Sequence, residues 1–262
     1  MESLTKSLAN CKIRKTYKIT RSSITTRQNT ACIKIQKYFR GYLVRSRRLP
    51  MIMYLIQKHL AESDFECANE LDDGRINSCI DEEKIIKLLE TKFGSARILK
   101  PKHRMWFDIL MHDRYCGWIP INIKTTTTLT SDNTGNLAMC VHAYTDEKLN
   151  LQRKQTYGNG EMSKVLMKKL KDKKYNSSCK KDYYFVVVNK SNPSDIIINS
   201  VKGLSHLTPN ANNLPFQICW DKNREFIYKP IKQRITQFLK CLKKPKPSWK
   251  ETFMTEVRAL DV

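Results

Sequence analysis

The sequence of 262 residues has no apolar run near the roughly 18 residues of a membrane-spanning helix, since its longest is residues 51–56. Its first ten residues, MESLTKSLAN, lack the apolar segment of a secretory signal. The nine cysteines form no CxxC pair, which argues against a disulfide framework and against a zinc module. We therefore expect a globular protein that is not secreted and that resides in the cytoplasm or nucleus of a host cell.

Acidic residues are also scarce, because 25 Asp and Glu stand against 48 Lys and Arg, for a net charge of +23. Residues 1–50 hold 13 basic residues and one acid, and residues 222–250 hold ten basic residues and one acid. A third lysine cluster spans residues 164–181. One such run often serves only to keep a surface solvated, but three runs of one sign favour a polyanionic partner. Nucleic acid is the commonest such partner.

Residues 31–48 form a basic amphipathic pattern with helical spacing, which ends before Pro50. Within it the pattern IQxxxRGxxxR is complete, and this resembles the IQ motif, the helix that calmodulin-like proteins bind. The residues that fit it are Ile35, Gln36, Arg40, Gly41 and Arg45. An apolar stripe in a basic helix suits an acidic, methionine-lined groove. Binding to DNA and packing on its own domain are open alternatives for this helix.

Hydrophobic periodicity predicts an α/β domain over residues 51–262, preceded by a basic arm over residues 1–50 that carries the IQ-like helix. The predicted elements are a helix over 81–93, strands over 105–111, 118–125, 183–189 and 195–201, and a basic amphipathic helix over 231–242. Helix, hairpin and further strands in this order favour a mixed central sheet.

Several polar residues interrupt these apolar elements. Glu82 shares a helix face with Ile85 and Ile86, and Asp108 lies in an apolar strand. Asn122 and Lys124 share one face of the next strand, opposite its isoleucines. Because a buried charge is costly unless it is paired or bound, these residues are candidates for a functional site.

An acid on a helix, an Asp on one strand and a carboxylate-x-Lys on the next make up the core pattern of the PD-(D/E)xK nucleases. The chain resembles type II restriction endonucleases of this superfamily. The segments that carry the resemblance are GRINSCIDEEKI, WFDILM, IPINIKTTTT with a following SDN, YGNGE and NLPFQICWDKN, over about residues 74–238. It implies a restriction-endonuclease-like fold, with a mixed central sheet flanked by helices.

The resemblance also implies Mg²⁺-dependent hydrolysis of double-stranded DNA at a short recognition sequence, by a homodimer with one site for each strand. Glu82, Asp108 and Asn122 would bind the Mg²⁺, and Lys124 would orient or activate the attacking water. Asn122 stands where the family has an acid. A working variant of the site and a nuclease fold without activity are both open.

Further residues would contact DNA under the same resemblance, namely Arg75, Asn77, Ser78, Asp132 and Asn133. Helix capping and turn formation are the structural alternatives for them. Two other functions stay open for the chain. One is a DNA-binding or packaging protein without catalysis, and the other is a calmodulin-binding interaction protein. An IQ helix fused to a restriction-type body points to a eukaryotic host, with a large DNA virus as one source.

Overall fold

In this computed structural model the described residues are 31–37, 48–68, 74–101, 105–134, 136–152, 156–210, 215–243 and 251–260. The chain divides into two units, Met1–Val44 and Arg45–Val262. Residues 31–37 of the first unit are helical and exposed. The proposed boundary at residue 50 and the character of the basic arm stay predictions, because residues 1–30 and 38–47 lie outside the described part.

The second unit contains a mixed five-stranded sheet. Its strands are β1 Ile98–Leu99, β2 Ile109–Asp113, β3 Gly117–Thr126, β5 Tyr184–Asn189 and β6 Asn192–Ser200, in the spatial order β1-β2-β3-β5-β6. A separate two-stranded sheet pairs β4 Asp132–Asn133 with β7 Gln217–Ile218. Within the large sheet neighbours are antiparallel except β3 and β5, which run parallel with Asn122 opposite Phe185. The predicted α/β class with a mixed central sheet is confirmed.

Helices cover both faces of the large sheet. They are α1 Met51–Ala61, α2 Gly74–Phe93, α3 Leu137–Tyr144, α4 Asn159–Lys171, α5 Ile231–Leu242 and α6 Glu251–Arg258. Helices α1 and α2 share an apolar cluster with one face of the sheet, and α3, α4 and α5 share a second cluster with the other face. Within the described residues no helix is both long enough and apolar enough to cross a bilayer.

Strand β3 shows how the sequence sets this layering. Ile119, Ile121 and Ile123 alternate along it and are buried in the cluster of α1 and α2. Asn122 and Lys124 therefore project from the opposite face, where both are half-buried. This part of the prediction is confirmed, as is the helix over residues 231–242.

Two predicted boundaries are wrong near the polar residues. Helix α2 begins at Gly74, so Arg75, Asn77 and Ser78 lie in its first turns and not before it. Strand β2 begins at Ile109, so Asp108 lies in the bend that precedes the strand. The Asp108 side chain accepts a backbone hydrogen bond from the neighbouring strand, and such local bonds compete with regular strand geometry.

Helix α1 was not predicted, although its apolar run was recognised. Ile52, Met53, Ile56 and Leu60 are buried at helical spacing, and the helix packs against β6. A short apolar run fits a strand as well as a helix, so periodicity alone does not identify it.

Candidate functional site

A polar cavity of about 370 Å³ lies where the first turns of α2 meet β3. Its walls come from α2, the bend before β2, the end of β3 and β4. The lining residues are Ser78, Cys79, Glu82, Asp108, Asn122, Ile123, Lys124, Thr125 and Asp132. The cavity thus gathers the four residues predicted to carry the chemistry, together with Ser78 and Asp132 from the predicted DNA-binding set.

Asp108 is held firmly at the cavity wall. Its Oδ2 accepts a hydrogen bond of 2.7 Å from the backbone N–H of Ile123, and its own N–H donates to the carbonyl oxygen of Ile121 at 3.0 Å. One carboxylate oxygen is therefore committed to the backbone. The side chain makes no further hydrogen bond within the described residues, which leaves its second oxygen available to a ligand.

Burial leaves the carboxyl groups of Asp108 and Glu82 poorly solvated in the cavity. Burial raises the pKa of Asp108 to about 6, while the Ile123 hydrogen bond and the Lys124 charge oppose this rise. Burial also raises the pKa of Glu82 to about 7, with the Asp108 charge adding to the rise and Lys124 opposing it. Near neutral pH the pair therefore holds its negative charge at a cost, which a bound cation would offset.

Asn122 supplies a second kind of oxygen to the cavity. Its Oδ1 is buried and has no hydrogen-bond partner within the described part of the chain. Leaving a buried amide oxygen unpaired costs about 1–3 kcal/mol. Carboxylate and amide oxygens are hard ligands that suit Mg²⁺, so Asp108, Glu82 and Asn122 are residues of the kind that the predicted metal requires.

The number of acids available to such a cation is small. Among the described residues there is no group of three or more His, Cys, Asp or Glu arranged to hold a metal ion. Of the described residues that line the cavity, the acids are Glu82, Asp108 and Asp132. A cation at this place would therefore depend on the amide of Asn122 as its neutral ligand.

The Asp132 carboxylate has a structural role in the cavity wall. Its Oδ1 accepts a hydrogen bond of 3.2 Å from Thr126 Oγ1, and its Oδ2 accepts one of 2.8 Å from Trp220 Nε1. Because both oxygens are engaged, Asp132 is less available than Asp108 to an incoming ligand. Its neighbour Asn133 lies outside the cavity lining, and Asn133 Oδ1 accepts hydrogen bonds from Asn210 and Gln217.

Lys124 lines the cavity, and Lys190 contacts its lining residue Ser78. Lys124 is half-buried and acts electrostatically on both acids, but forms no ion pair with them. Lys190, which the sequence analysis missed, directly follows β5 and donates to Ser78 Oγ at 3.3 Å. Its backbone N–H donates to the carbonyl oxygen of Thr126 at 2.9 Å. Lys190 therefore ties the start of α2 to the end of β3.

Asn77, another predicted DNA contact, does not line the cavity. Asn77 is buried, at 6% exposure, which suits a structural role in α2 better than a contact with phosphate. The Arg75 backbone lies in α2, while its side chain falls outside the described residues. The sequence analysis also missed Asp81, which is fully buried and accepts a hydrogen bond of 2.6 Å from the Ala68 N–H.

A basic groove of about 550 Å³ runs beside α5. Lys229, Lys232 and Lys240 line it, and none of the described residues of its lining is acidic. Pro209 also lines the groove, and the next residue, Asn210, donates to Asn133 beside the cavity residue Asp132. One hydrogen bond therefore links the residue that follows Pro209 to the strand that carries Asp132.

The IQ pattern lies in the first unit and at its border. Ile35 and Gln36 fall in the helical residues 31–37, and Ile35 is 67% exposed. Arg40, Gly41 and Arg45 lie outside the described residues.

Comparison with protein families gave one finding, a match of residues 29–47 to the IQ calmodulin-binding motif. All five residues predicted for this motif fall within the match. Neither the curated proteins nor the solved structures gave a match to the chain. The resemblance to restriction endonucleases therefore stays a prediction, whereas residues 29–47 are similar to the IQ calmodulin-binding motif.

Proposed function

We propose that the cavity is a Mg²⁺-dependent phosphodiesterase site that cleaves double-stranded DNA in the manner of type II restriction endonucleases. One observation carries the proposal. Residues from separate elements, Glu82, Asp108, Asn122 and Lys124, line a single polar cavity. Carboxylate, amide and ammonium groups together match what hydrolysis of a phosphodiester requires.

The roles of the residues follow from their surroundings. Asp108, Glu82 and the unpaired Asn122 Oδ1 would hold the cation. When bound, Mg²⁺ offsets the charge of the scissile phosphate and makes a bound water more acidic. The Lys124 ammonium orients the attacking water or stabilises the charge that develops on the phosphoryl oxygen.

The basic groove supports DNA as the substrate. Its three lysines can follow a phosphate backbone. Cleavage of both strands requires two sites, so we expect a homodimer to act on DNA.

Plasmid cleavage tests the proposal directly. Wild-type protein should convert supercoiled plasmid to nicked and linear forms with Mg²⁺ but not with EDTA, and Lys124→Ala should abolish the conversion. Lys168→Ala, at an exposed lysine of α4, is the matched control and should cut like wild type. DNA binding without cleavage in Mg²⁺ or Mn²⁺ would contradict the proposal and favour the DNA-binding or packaging function.

A second function, binding of a calmodulin-like protein, is proposed for residues 29–47. The match to the IQ calmodulin-binding motif supports it, as does the exposure of Ile35. An exposed isoleucine on a basic helix is an anchor of the kind that fits an acidic, methionine-lined groove. The two functions use different parts of the chain, so each can hold without the other.

A further inference from the structure

A strained turn lies in the loop from β3 to β4, between the cavity residues Thr125 and Asp132. The Leu129 N–H donates to the carbonyl oxygen of Thr127 at 2.7 Å, which closes a three-residue turn with Thr128 at its centre. Thr128 has a φ of 59°, a left-handed conformation that is rare for a β-branched residue. Such a turn persists only where the surrounding structure stabilises it.

Contacts from the chain around residue 220 stabilise this turn. Thr128 is 1% exposed, and its Oγ1 donates to Asp221 Oδ1 at 3.1 Å. The Asp221 N–H donates in return to the carbonyl oxygen of Thr128 at 3.2 Å. The Cys219 thiol donates to the carbonyl oxygens of Thr128 and Leu129, at 3.7 and 3.5 Å. The turn is therefore held in one conformation in spite of its strain.

The same turn leaves the Leu129 side chain outside the core. Leu129 is 74% exposed, the highest value among the exposed large hydrophobic residues of the described chain. Single exposed leucines are common on protein surfaces. This one is combined with a strained backbone, however, and backbone strain is concentrated at active sites and ligand-binding segments.

The chain itself keeps Leu129 close to the cavity. Successive Cα atoms are about 3.8 Å apart, so the Cα of Leu129 lies within about 11 Å of that of Asp132. Thr126 Oγ1 donates to Asp132 Oδ1 at 3.2 Å, which closes the base of the loop. The major groove of B-DNA is about 12 Å wide. The distance from the cavity wall to Leu129 is thus smaller than one groove of a bound duplex.

We propose that Leu129 is an apolar wedge that enters the base stack of the DNA whose scissile phosphate lies in the cavity. The inference rests on the proposed function, since it assumes that the cavity binds and cleaves DNA. Apolar side chains that enter between base pairs unstack them and kink the duplex. Because the strained turn already fixes Leu129, little conformational entropy is lost on insertion. The kink would then set the place of the phosphate relative to Asp108 and Lys124.

Insertion should affect cleavage more than affinity. The apolar contact that the leucine gains and the cost of unstacking a base step largely offset each other, so Leu129→Ala should change DNA affinity little. It should lower the single-turnover cleavage rate by about 10–100-fold, because a displacement of about 1 Å at the reacting centre can cost 10²-fold. Leu129→Met keeps an apolar side chain of similar volume and should cut like wild type.

Base fluorescence on the full-length protein tests the insertion itself. The ends of plasmid cut by wild type are sequenced to give the cleavage sequence. Duplexes of that sequence then carry 2-aminopurine, which fluoresces more strongly when it is unstacked, at one position after another across the cut. In the Lys124→Ala background, which should bind DNA without cutting it, fluorescence at one position should rise on binding. Adding Leu129→Ala should remove that rise.

Leu55→Ala is the matched control. Leu55 is an exposed leucine of α1, at 46%, and is not among the residues that line the cavity. This variant should match wild type in cleavage rate and in base fluorescence. Because both leucines are exposed, the alanine variants should also keep the wild-type melting temperature.

Asp221→Ala tests the role of the turn. It removes the partner of Thr128 Oγ1 and should slow cleavage, because the turn then no longer fixes Leu129. In the Leu129→Ala background the same change should cause no further loss. Additive losses would show that Asp221 acts independently of Leu129 and would overturn the role given to the turn.

The outcomes separate this inference from the proposed function. If wild type cuts no plasmid, the proposed function and the inference both fall. If wild type cuts and Leu129→Ala cuts equally fast, or gives the same base fluorescence, only the inference falls. A loss of affinity without a loss of cleavage rate would also overturn the inference, since it would indicate a surface contact and not insertion.

Discussion

Ile123 donates its backbone N–H to the carboxylate of Asp108 across 2.7 Å, next to the point where Ile109 pairs with Ile121. Through this bond Ile123, which lies between Asn122 and Lys124, fixes the position of Asp108 in the bend before β2. The side chains on either side of Ile123 are thereby held in a constant relation to Asp108. The hairpin of β2 and β3 is thus the rigid element on which the cavity is built.

Asp108→Ala should abolish cleavage while DNA binding is kept or strengthened. The change removes a cation ligand, worth several kcal/mol of transition-state stabilisation, so we expect at least about a 10²-fold loss of rate. It also removes a negative charge that repels phosphate. Single-turnover cleavage and a DNA-binding titration measure the two effects. Asp146→Ala, at a surface acid paired with Lys169, is the control and should behave like wild type. Unchanged cutting by Asp108→Ala would exclude this cavity as the site.

Metal-free protein should lose stability as the pH rises from about 5 to 8. The pKa of Asp108 is raised to about 6 and that of Glu82 to about 7, above the values of about 4 that carboxyls have in an unfolded chain. In this pH range the folded state therefore binds more protons than the unfolded state, so the free energy of unfolding falls with rising pH.

Glu82→Gln should reduce this pH dependence. We expect it to raise the free energy of unfolding by about 1–2 kcal/mol at pH 8, a value reduced for the partial exposure of the group, and to change it little at pH 4. Urea unfolding in EDTA across this pH range measures the effect. Glu83→Gln, at the exposed neighbouring acid, should keep the wild-type pH slope. If both variants kept that slope, Glu82 would not be the titrating group.

Neutralising the basic groove should weaken the salt dependence of DNA binding. Each phosphate contact contributes about 0.9 to the slope of log affinity against log salt. The combined change of Lys229, Lys232 and Lys240 to Gln should therefore make the slope shallower by about 2–3, measured by fluorescence anisotropy from 50 to 200 mM salt. The control changes three exposed lysines in and just after α4, namely Lys164, Lys168 and Lys174. Equal slopes for the two triple variants would show that the groove has no special part in binding.

Ile35→Glu should weaken binding of calmodulin to the full chain by at least about 10-fold, because it places a charge where an apolar anchor enters the groove. Calorimetry with and without calcium measures the affinity. Ile33→Glu is the matched control, since Ile33 is 51% exposed in the same helical segment but lies outside the fixed positions of the motif. Equal losses for the two variants would indicate a general effect of charge, and no binding by wild type would end the calmodulin proposal.

Local sequence patterns predicted much of the cavity because its central residues lie on one helix and one hairpin. The alternation of β3 was enough to place Asn122 and Lys124 on one face. Lys190 could not be found in this way. It reaches Ser78 through the pairing of β3 with β5, and the register of two strands separated by residues 127–183 is set by packing and not by any local pattern.

Helical periodicity did not predict the most deeply buried acid of α2. Asp81 and Glu82 are adjacent acids in the middle of α2, and helical periodicity assigned the inward direction to Glu82. Asp81 is the fully buried acid, while Glu82 is half-buried at the cavity. The Asp81 carboxylate accepts a hydrogen bond from the Ala68 N–H, which lies in a segment before the helix. Helical periodicity carries no information about the position of that segment.

The parallel pairing of β3 with β5 has a consequence for the order in which the protein folds. Glu82, Asp108 and Lys124 come from one stretch of chain before the crossover, and Lys190 comes after it. Closing so long a loop is slow compared with forming a hairpin. Asp108 and Lys124 should therefore come together first, when β2 and β3 form their hairpin and before β5 pairs with β3. In φ-value analysis, substitutions at Ile119 should then slow refolding more than substitutions at Val186, where β5 joins the sheet.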